Sequence, residues 1–244
     1  GNYDFAAYDA AGWSSYGNSL TMAAWTALIG TICAFGGAYL AEKGSGLALP
    51  RALYRALAVL PLAVPGLVLG LGYIFFFNSA SNPLNGVYGG LSILVMSTVA
   101  HYYTVPHLMA VTALKQIDDE IEEAAAALGV PFWRTFSRVT LPICLPTVID
   151  IATYFFLNAM TTIGAVIFLY APATKLASVA VVEMDATGDT AAAAAMAIMI
   201  LPTAAAVKLL QMLLTSVILR RTQAWRRGRE GGLIDDAGHA PSVA

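Results

Sequence analysis

Residues 101–107, His-Tyr-Tyr-Thr-Val-Pro-His, set His101, Tyr102, Tyr103, Thr104 and His107 inside an otherwise apolar run, and Asn158, Thr161 and Thr162 do the same in a second run. Polar groups in hydrocarbon are costly, so these eight are candidates for hydrogen bonding to a solute that passes between helices. For the Thr and Tyr side chains the competing role is to tie helices together, and His101 stands open between the two roles. Bond-making chemistry is not indicated: no nucleophile stands with a base, and the histidines lack carboxylate neighbours. His101 and His107 are six residues apart, project from different faces of a helix and make a poor metal pair. Cys33 and Cys144 sit in or beside apolar runs without metal-ligand spacing, so packing is expected of them, with no disulfide, metal or cofactor. Asp150, the carboxylate inside a span, is expected to pair with a loop arginine.

These side chains need helices to position them. The chain has 244 residues, 58% hydrophobic and 11% charged, with mean hydropathy +0.69, against about 25% charged in ordinary soluble domains. Five stretches, 20–40, 56–77, 91–114, 147–170 and 191–219, are apolar all round and reach the ~20 residues that ~30 Å of hydrocarbon requires. Period-two alternation is absent, and an all-α, polytopic membrane protein is predicted, bathed in lipid. The net charge of -2 gives a nucleic-acid partner no basic surface to bind. Gly66, Gly70 and Gly72, beside Pro61 and Pro65, allow close crossing and a local break in the second stretch.

Charge placement sets the expected orientation. All but Lys175 and Lys208 of the 13 Lys and Arg fall in alternate connections, 41–55 and 115–146, or after residue 219. Positive flanks stay in the cytoplasm, which predicts an external segment 1–19, a transmembrane domain 20–221 and a disordered cytoplasmic tail 222–244. Lys208 can reach the cytoplasmic interface along its own stem. The connection 171–190, with Lys175, Glu183, Asp185 and Asp189, is expected to be a solvated outer loop, with reception of a solute-binding protein the alternative. Neither a basic start nor an apolar signal core is visible, so an N-terminus placed outside suggests at least one further span upstream.

The inward connection at 115–146 contains EEAAAALGVPFWRTFSRVTLPICLP. Acidic residues and alanines over 118–128 favour a helix with its acids near the N-terminus. Gly129 then supplies the left-handed stop, Pro131 suits the first turn of a second helix, and Leu141-Pro142 with Pro146 is expected to end it. Phe132, Trp133 and Phe136 with Arg134 and Arg138 suit either an interfacial helix against lipid headgroups or aromatic anchors entering a partner's pocket.

The spacing Glu123-Ala124-Ala125, three residues, Gly129, nine residues, then Val139-Thr140-Leu141-Pro142 resembles the EAA motif of the inner-membrane subunits of ABC importers, with Val139 in place of Ile the single departure. The resemblance implies a type I ABC importer permease fold, in which this loop is the coupling helix that fits a cleft on an ATP-hydrolysing subunit. The implied contact set is Glu123, Ala124, Ala125, Gly129, Pro131, Phe132, Trp133, Arg134, Phe136, Arg138, Leu141 and Pro142. The implied partners are an ABC ATPase dimer, a second permease unit (separate or fused) and an external solute-binding protein. The dipeptide Gly-Lys does not occur, so no P-loop is present and ATP would be handled by another chain. The stretches AVPGLVLGLGYIFFFN, HYYTVPHLMAVTALKQID and NAMTTIGAVIFLYAPATKLASVAVVEMDATGDTAAAAAMA look like permeases of 2-aminoethylphosphonate uptake, a branch near the ferric-iron permeases, and the resemblance covers roughly residues 3–225. An ion-coupled secondary transporter and a membrane enzyme are the alternatives from other classes. The first needs an intramembrane carboxylate pair and the second a catalytic constellation.

Overall fold

The computed structural model describes residues 3–9, 11–44, 48–79 and 81–237, with side chains at all of these except 119, 122 and 220–237. Among the described residues ten α-helices run in the order α1 (Trp13–Lys43), α2 (Ala48–Val59), α3 (Gly66–Phe77), α4 (Leu91–His101), α5 (Thr104–Leu114), α6 (Asp119–Ala127), α7 (Phe132–Thr135), α8 (Leu141–Thr161), α9 (Ala177–Ala186) and α10 (Thr190–Ala237), with no strand beyond one isolated bridge, Gly89 to Tyr170. The predicted tail falls partly on α10, whose backbone stays helical to Ala237; residues 238–244 lie outside the described residues.

Helices occupy all or part of each of the five apolar stretches, and among the described residues three are unbroken and long enough to cross a bilayer, Trp13–Lys43, Phe132–Thr161 and Thr190–Leu219; the fourth stretch, expected to run to 170, leaves helical geometry after Thr161. The second stretch is bent by 111° between Ala48–Ala63 and Gly66–Phe77. Pro65 causes the bend: it has no N–H to donate and drives Val64 to extended geometry, φ -100° and ψ 117°. The third stretch is two short helices that part at Tyr102 and Tyr103. Here the cause is Pro106, whose ring conflicts with the carbonyl four residues back, at Tyr102.

Helix α1 is the central rod and packs against α8, α5 and α4, while α10 packs on α9 and α8. One core cluster joins Ala34, Phe35 and Tyr39 of α1 to Leu114, Ile151 and Phe155, and another joins Met22 to Ile93, Leu94, Met160 and Leu169. The α1–α8 crossing is tight because Gly30 has no side chain: a Cβ there would lie 2.8 Å from the ring of Phe155. The two clusters stack along α1, and the loop 115–146 hangs from the end that carries Tyr39 and Lys43. Lys43 Nζ donates to Ile117 O at 3.4 Å at that end.

The opposite end departs from the expected solvated loop. Lys175 is 9% exposed and donates to Asp9 Oδ1 at 2.8 Å; it also pairs with Glu183 Oε2, while the Tyr170 hydroxyl donates to Glu183 Oε1 at 2.5 Å. Asp185, exposed, and Asp189, half-buried and accepting from Thr187 Oγ1 at 3.3 Å, stay outside the cluster. The N-terminal segment is folded down onto the bundle by this triad and by Phe5, which is fully buried against Ala177, Met184 and Met196.

Candidate functional site

The first site is the loop between α5 and α8. Helix α6 begins after Asp118 and stops where predicted, in a Schellman arrangement: Gly129 N–H donates to Ala126 O at 3.0 Å and Val130 N–H to Ala125 O at 2.9 Å. Gly129 adopts φ +68°, the left-handed region that glycine enters at little cost. Pro131 is the N-cap of the second helix rather than its first residue.

That helix does not end at Leu141-Pro142. It passes through a π turn, Phe136–Thr140, directly into α8, so that Phe132–Thr161 forms one 30-residue rod. The wider π turn adjusts the hydrogen-bonding register around Pro142, which enters the first turn of α8, where a missing N–H costs least. Pro146 lies inside α8 without ending it.

The aromatic cluster divides into two roles. Phe136 turns inward onto α1 and Phe132, though 51% exposed, lays one face there, with ring centroids 4.6 and 5.0 Å from Tyr39, and the two fasten the loop to the bundle. Trp133 faces out, 63% exposed, with the Arg134 guanidinium 5.4 Å above its ring, and Leu128 is 81% exposed. Glu123, Ala124, Pro131, Arg138 and Pro142 are also exposed, while Ala125 and Leu141 are half-buried. Glu123 has no ion pair among the described residues. Within this chain α6 packs on α7 alone to any extent, so the small face at Ala124 is free to receive a surface from elsewhere.

The second site surrounds the α4–α5 break. His101, Tyr102 and Thr104 line a cavity of about 180 Å³ together with Tyr154, Pro61 and Leu62. Thr104 Oγ1 donates to Ala58 O at 2.9 Å, and the Tyr102 hydroxyl donates to Thr162 Oγ1 at 3.5 Å. Tyr103 and His107 turn elsewhere. Their rings stack at 5.7 Å, the Tyr103 hydroxyl donates to Cys33 O at 3.2 Å and hydrogen-bonds Tyr54, and His107 is buried edge-on to Tyr54. Asn158 and Thr161 use their side chains on their own helix, donating to Tyr154 O at 2.8 Å and Leu157 O at 3.2 Å. Thr162 is buried, and its carbonyl accepts from Ser178 Oγ at 2.6 Å.

Asp150 does not pair with a loop arginine: the Gln211 amide on α10 donates to it. Sequence reasoning missed Tyr54, which lies between Arg51 and Arg55 in the basic connection, and Tyr154, a single phenol in an apolar run. For Tyr154 the available signal was its place one turn before Asn158.

Comparison with known proteins agrees with this architecture. Residues 34–219 match the family described as binding-protein-dependent transport system inner membrane component. A Haemophilus influenzae protein named for ferric transport as a system permease is 30% identical over 171 residues, 66% of this chain. This chain spans only 27% of that relative's length. A Salmonella paratyphi A protein named for 2-aminoethylphosphonate transport is 26% identical over 223 residues, covering 90% of this chain and 80% of the relative. Among solved structures, a bacterial ABC transporter that imports the acidic polysaccharide alginate superposes with TM-score 0.68 at 18% identity, over 85% of this chain and 78% of that one, a likeness of fold. The chain belongs to the family of binding-protein-dependent transport system inner membrane components.

Proposed function

We propose that the chain is a permease unit, separate or half of a fused pair, of an ATP-driven importer in the bacterial inner membrane. Loop 115–146 seats a cytoplasmic ATPase, the N-terminus lies outside and the C-terminus inside. A single observation carries this: the E-A-A-to-Leu-Pro segment is an outward-standing elbow fastened to α1 by Phe132 and Phe136 and continuous with α8, while Leu128 and Trp133 remain uncovered. Force applied to such an elbow reaches two spans, because α8 is an extension of it and α1 is gripped by it. Closure of the ATPase pair would draw the elbows together and turn the path outward to receive a solute from an external binding protein.

The solute we favour is 2-aminoethylphosphonate, since that relative matches along nearly the whole chain. Ferric iron is the second candidate, favoured by the higher identity of the shorter match. The complex of permease pair, ATPases and binding protein, reconstituted in proteoliposomes, separates them. ATP-dependent uptake of the phosphonate is expected, with ferric ion taken up at under about a tenth of that rate. The reverse preference would transfer the assignment to iron, and uptake driven by an ion gradient without ATP would remove the importer assignment altogether.

A further inference from the structure

Three interruptions of the helical runs meet in one place. They are the turn between α2 and α3, the turn between α4 and α5, and the irregular chain that follows α8. Thr104 Oγ1 bonds the second to Ala58 O, next to the first, at 2.9 Å, and the Tyr102 hydroxyl reaches Thr162 of the third at 3.5 Å. Gly66 closes the triangle: a Cβ there would stand 3.2 Å from His101 Nε2 and 3.3 Å from Ala165 N. Within a membrane, backbone that leaves helical geometry is tolerated where protein buries it or where it lines a cavity. Discontinuous helices of this kind also supply solute sites in transporters of other architectures.

The cavity at this meeting point holds about 180 Å³, room for a small solute. Its lining contains no charged side chain. His101 and Tyr154 both line it, and His101 Nδ1 is buried without a hydrogen-bond partner among the described residues. A buried polar atom left unpaired raises the free energy of the empty state, and a solute that pairs with it lowers that energy.

We infer that His101, with the Tyr102 and Tyr154 hydroxyls, contacts the transported solute at this junction, and that the solute is a small molecule bearing an oxyanion. With Nδ1 protonated, the neutral imidazole and the Tyr154 phenol are donors suited to phosphonate oxygens, and the Tyr102 phenol becomes one by exchanging its long bond to Thr162 Oγ1 for the solute. Neutral donors hold an anion loosely, as passage demands. This assignment rests on the importer function proposed above and adds to it the contact residue and the solute class.

The test uses the complete complex in proteoliposomes, with uptake of 2-aminoethylphosphonate and binding-protein-stimulated ATP hydrolysis measured on the same vesicles. His101→Leu keeps much of the shape and removes the hydrogen bond; it should lower the uptake per ATP hydrolysed by about tenfold, roughly the worth of one hydrogen bond to a charged group. His101→Gln should retain at least about a third of the parent ratio, and Tyr154→Phe, a smaller change that serves if the leucine variant fails to assemble, should lose about threefold. An unchanged ratio in the variant that assembles overturns the assignment, as does an equal loss in the leucine and glutamine variants, which marks a structural role. ATP-driven uptake of ferric ion instead of the phosphonate by the parent complex overturns the solute class while leaving the importer function standing. Absence of any ATP-driven uptake by the parent removes both.

Discussion

Valine in place of Gly129 is expected to lower ATP-driven uptake at least about tenfold while the protein still inserts and accumulates in the membrane. Space does not forbid the side chain, because a Cβ at Gly129 would meet nothing within 4 Å. The obstacle is the φ of +68°. A left-handed residue other than glycine costs about 1–2 kcal/mol, and a β-branched one is a genuine outlier there. The chain can relieve that strain only by unwinding the α6 C-terminus, which gives up the Gly129-to-Ala126 and Val130-to-Ala125 hydrogen bonds and lets α6 swing away from α7. The spans are untouched, since none of the α6 side chains among the described residues belongs to the buried clusters. Gly129→Asn, which tolerates the left-handed region, should keep most of the transport. Uptake, stimulated ATP hydrolysis and membrane yield, measured together, check the result; normal uptake in the valine variant would show that the elbow transmits nothing.

Lys175→Met is expected to destabilise the opposite end by about 3 kcal/mol or more, because it strands Asp9, 8% exposed, beside a second carboxylate without their shared cation. Asp9→Asn in the same chain should recover part of the loss, and thermal unfolding in detergent of the two single variants and the double variant measures the coupling. The pH dependence has a definite sign. Burial alone would lower the Lys175 pKa, but hydrogen bonds and charge from Asp9 and Glu183 outweigh burial and raise it. For Glu183, burial pushes upward, and Lys175 with Tyr170 overcomes this and holds the carboxyl below its usual value. The lysine contribution is therefore complete below its ordinary value of about 10.4 and is lost only as pH rises through the higher folded value. The glutamate contribution is complete above about 4.3 and is lost as pH falls through the lower folded value. Stability from this triad should be level across neutral pH and decline at the acid end, a decline that Lys175→Met removes.

The parts of the fold that were legible beforehand are those written locally. Gly129 after an alanine run and Pro65 after an apolar turn each specify a conformation by themselves, and each is found; the all-round apolar stretches specify helix, but not where it breaks. Pro106 carried an equally local message, the break at Tyr102, that a count of apolar residues over 91–114 hides. The loop aromatics could be named but not sorted, because whether Phe136 or Trp133 turns inward depends on Tyr39, nearly a hundred residues away. The same distance concealed the Asp9–Lys175–Glu183 triad and the Gln211–Asp150 contact: charges that appear solvated along the chain are paired once three remote segments pack. His101 was identifiable as a polar residue in an apolar run. Its place at the meeting of three broken helices was not, since it arises from packing of Gly66 and Ala165 against it.

Cysteine at position 133, in a chain with Cys33 and Cys144 replaced by alanine, tests the central claim most directly. In intact cells a membrane-impermeant thiol reagent should leave it unlabelled, and in inverted vesicles a short bifunctional reagent should join it to the ATPase subunit in a nucleotide-dependent yield. Labelling from outside the cell, or capture by lipid-phase reagents with no ATPase cross-link, would contradict an elbow seated on a cytoplasmic motor.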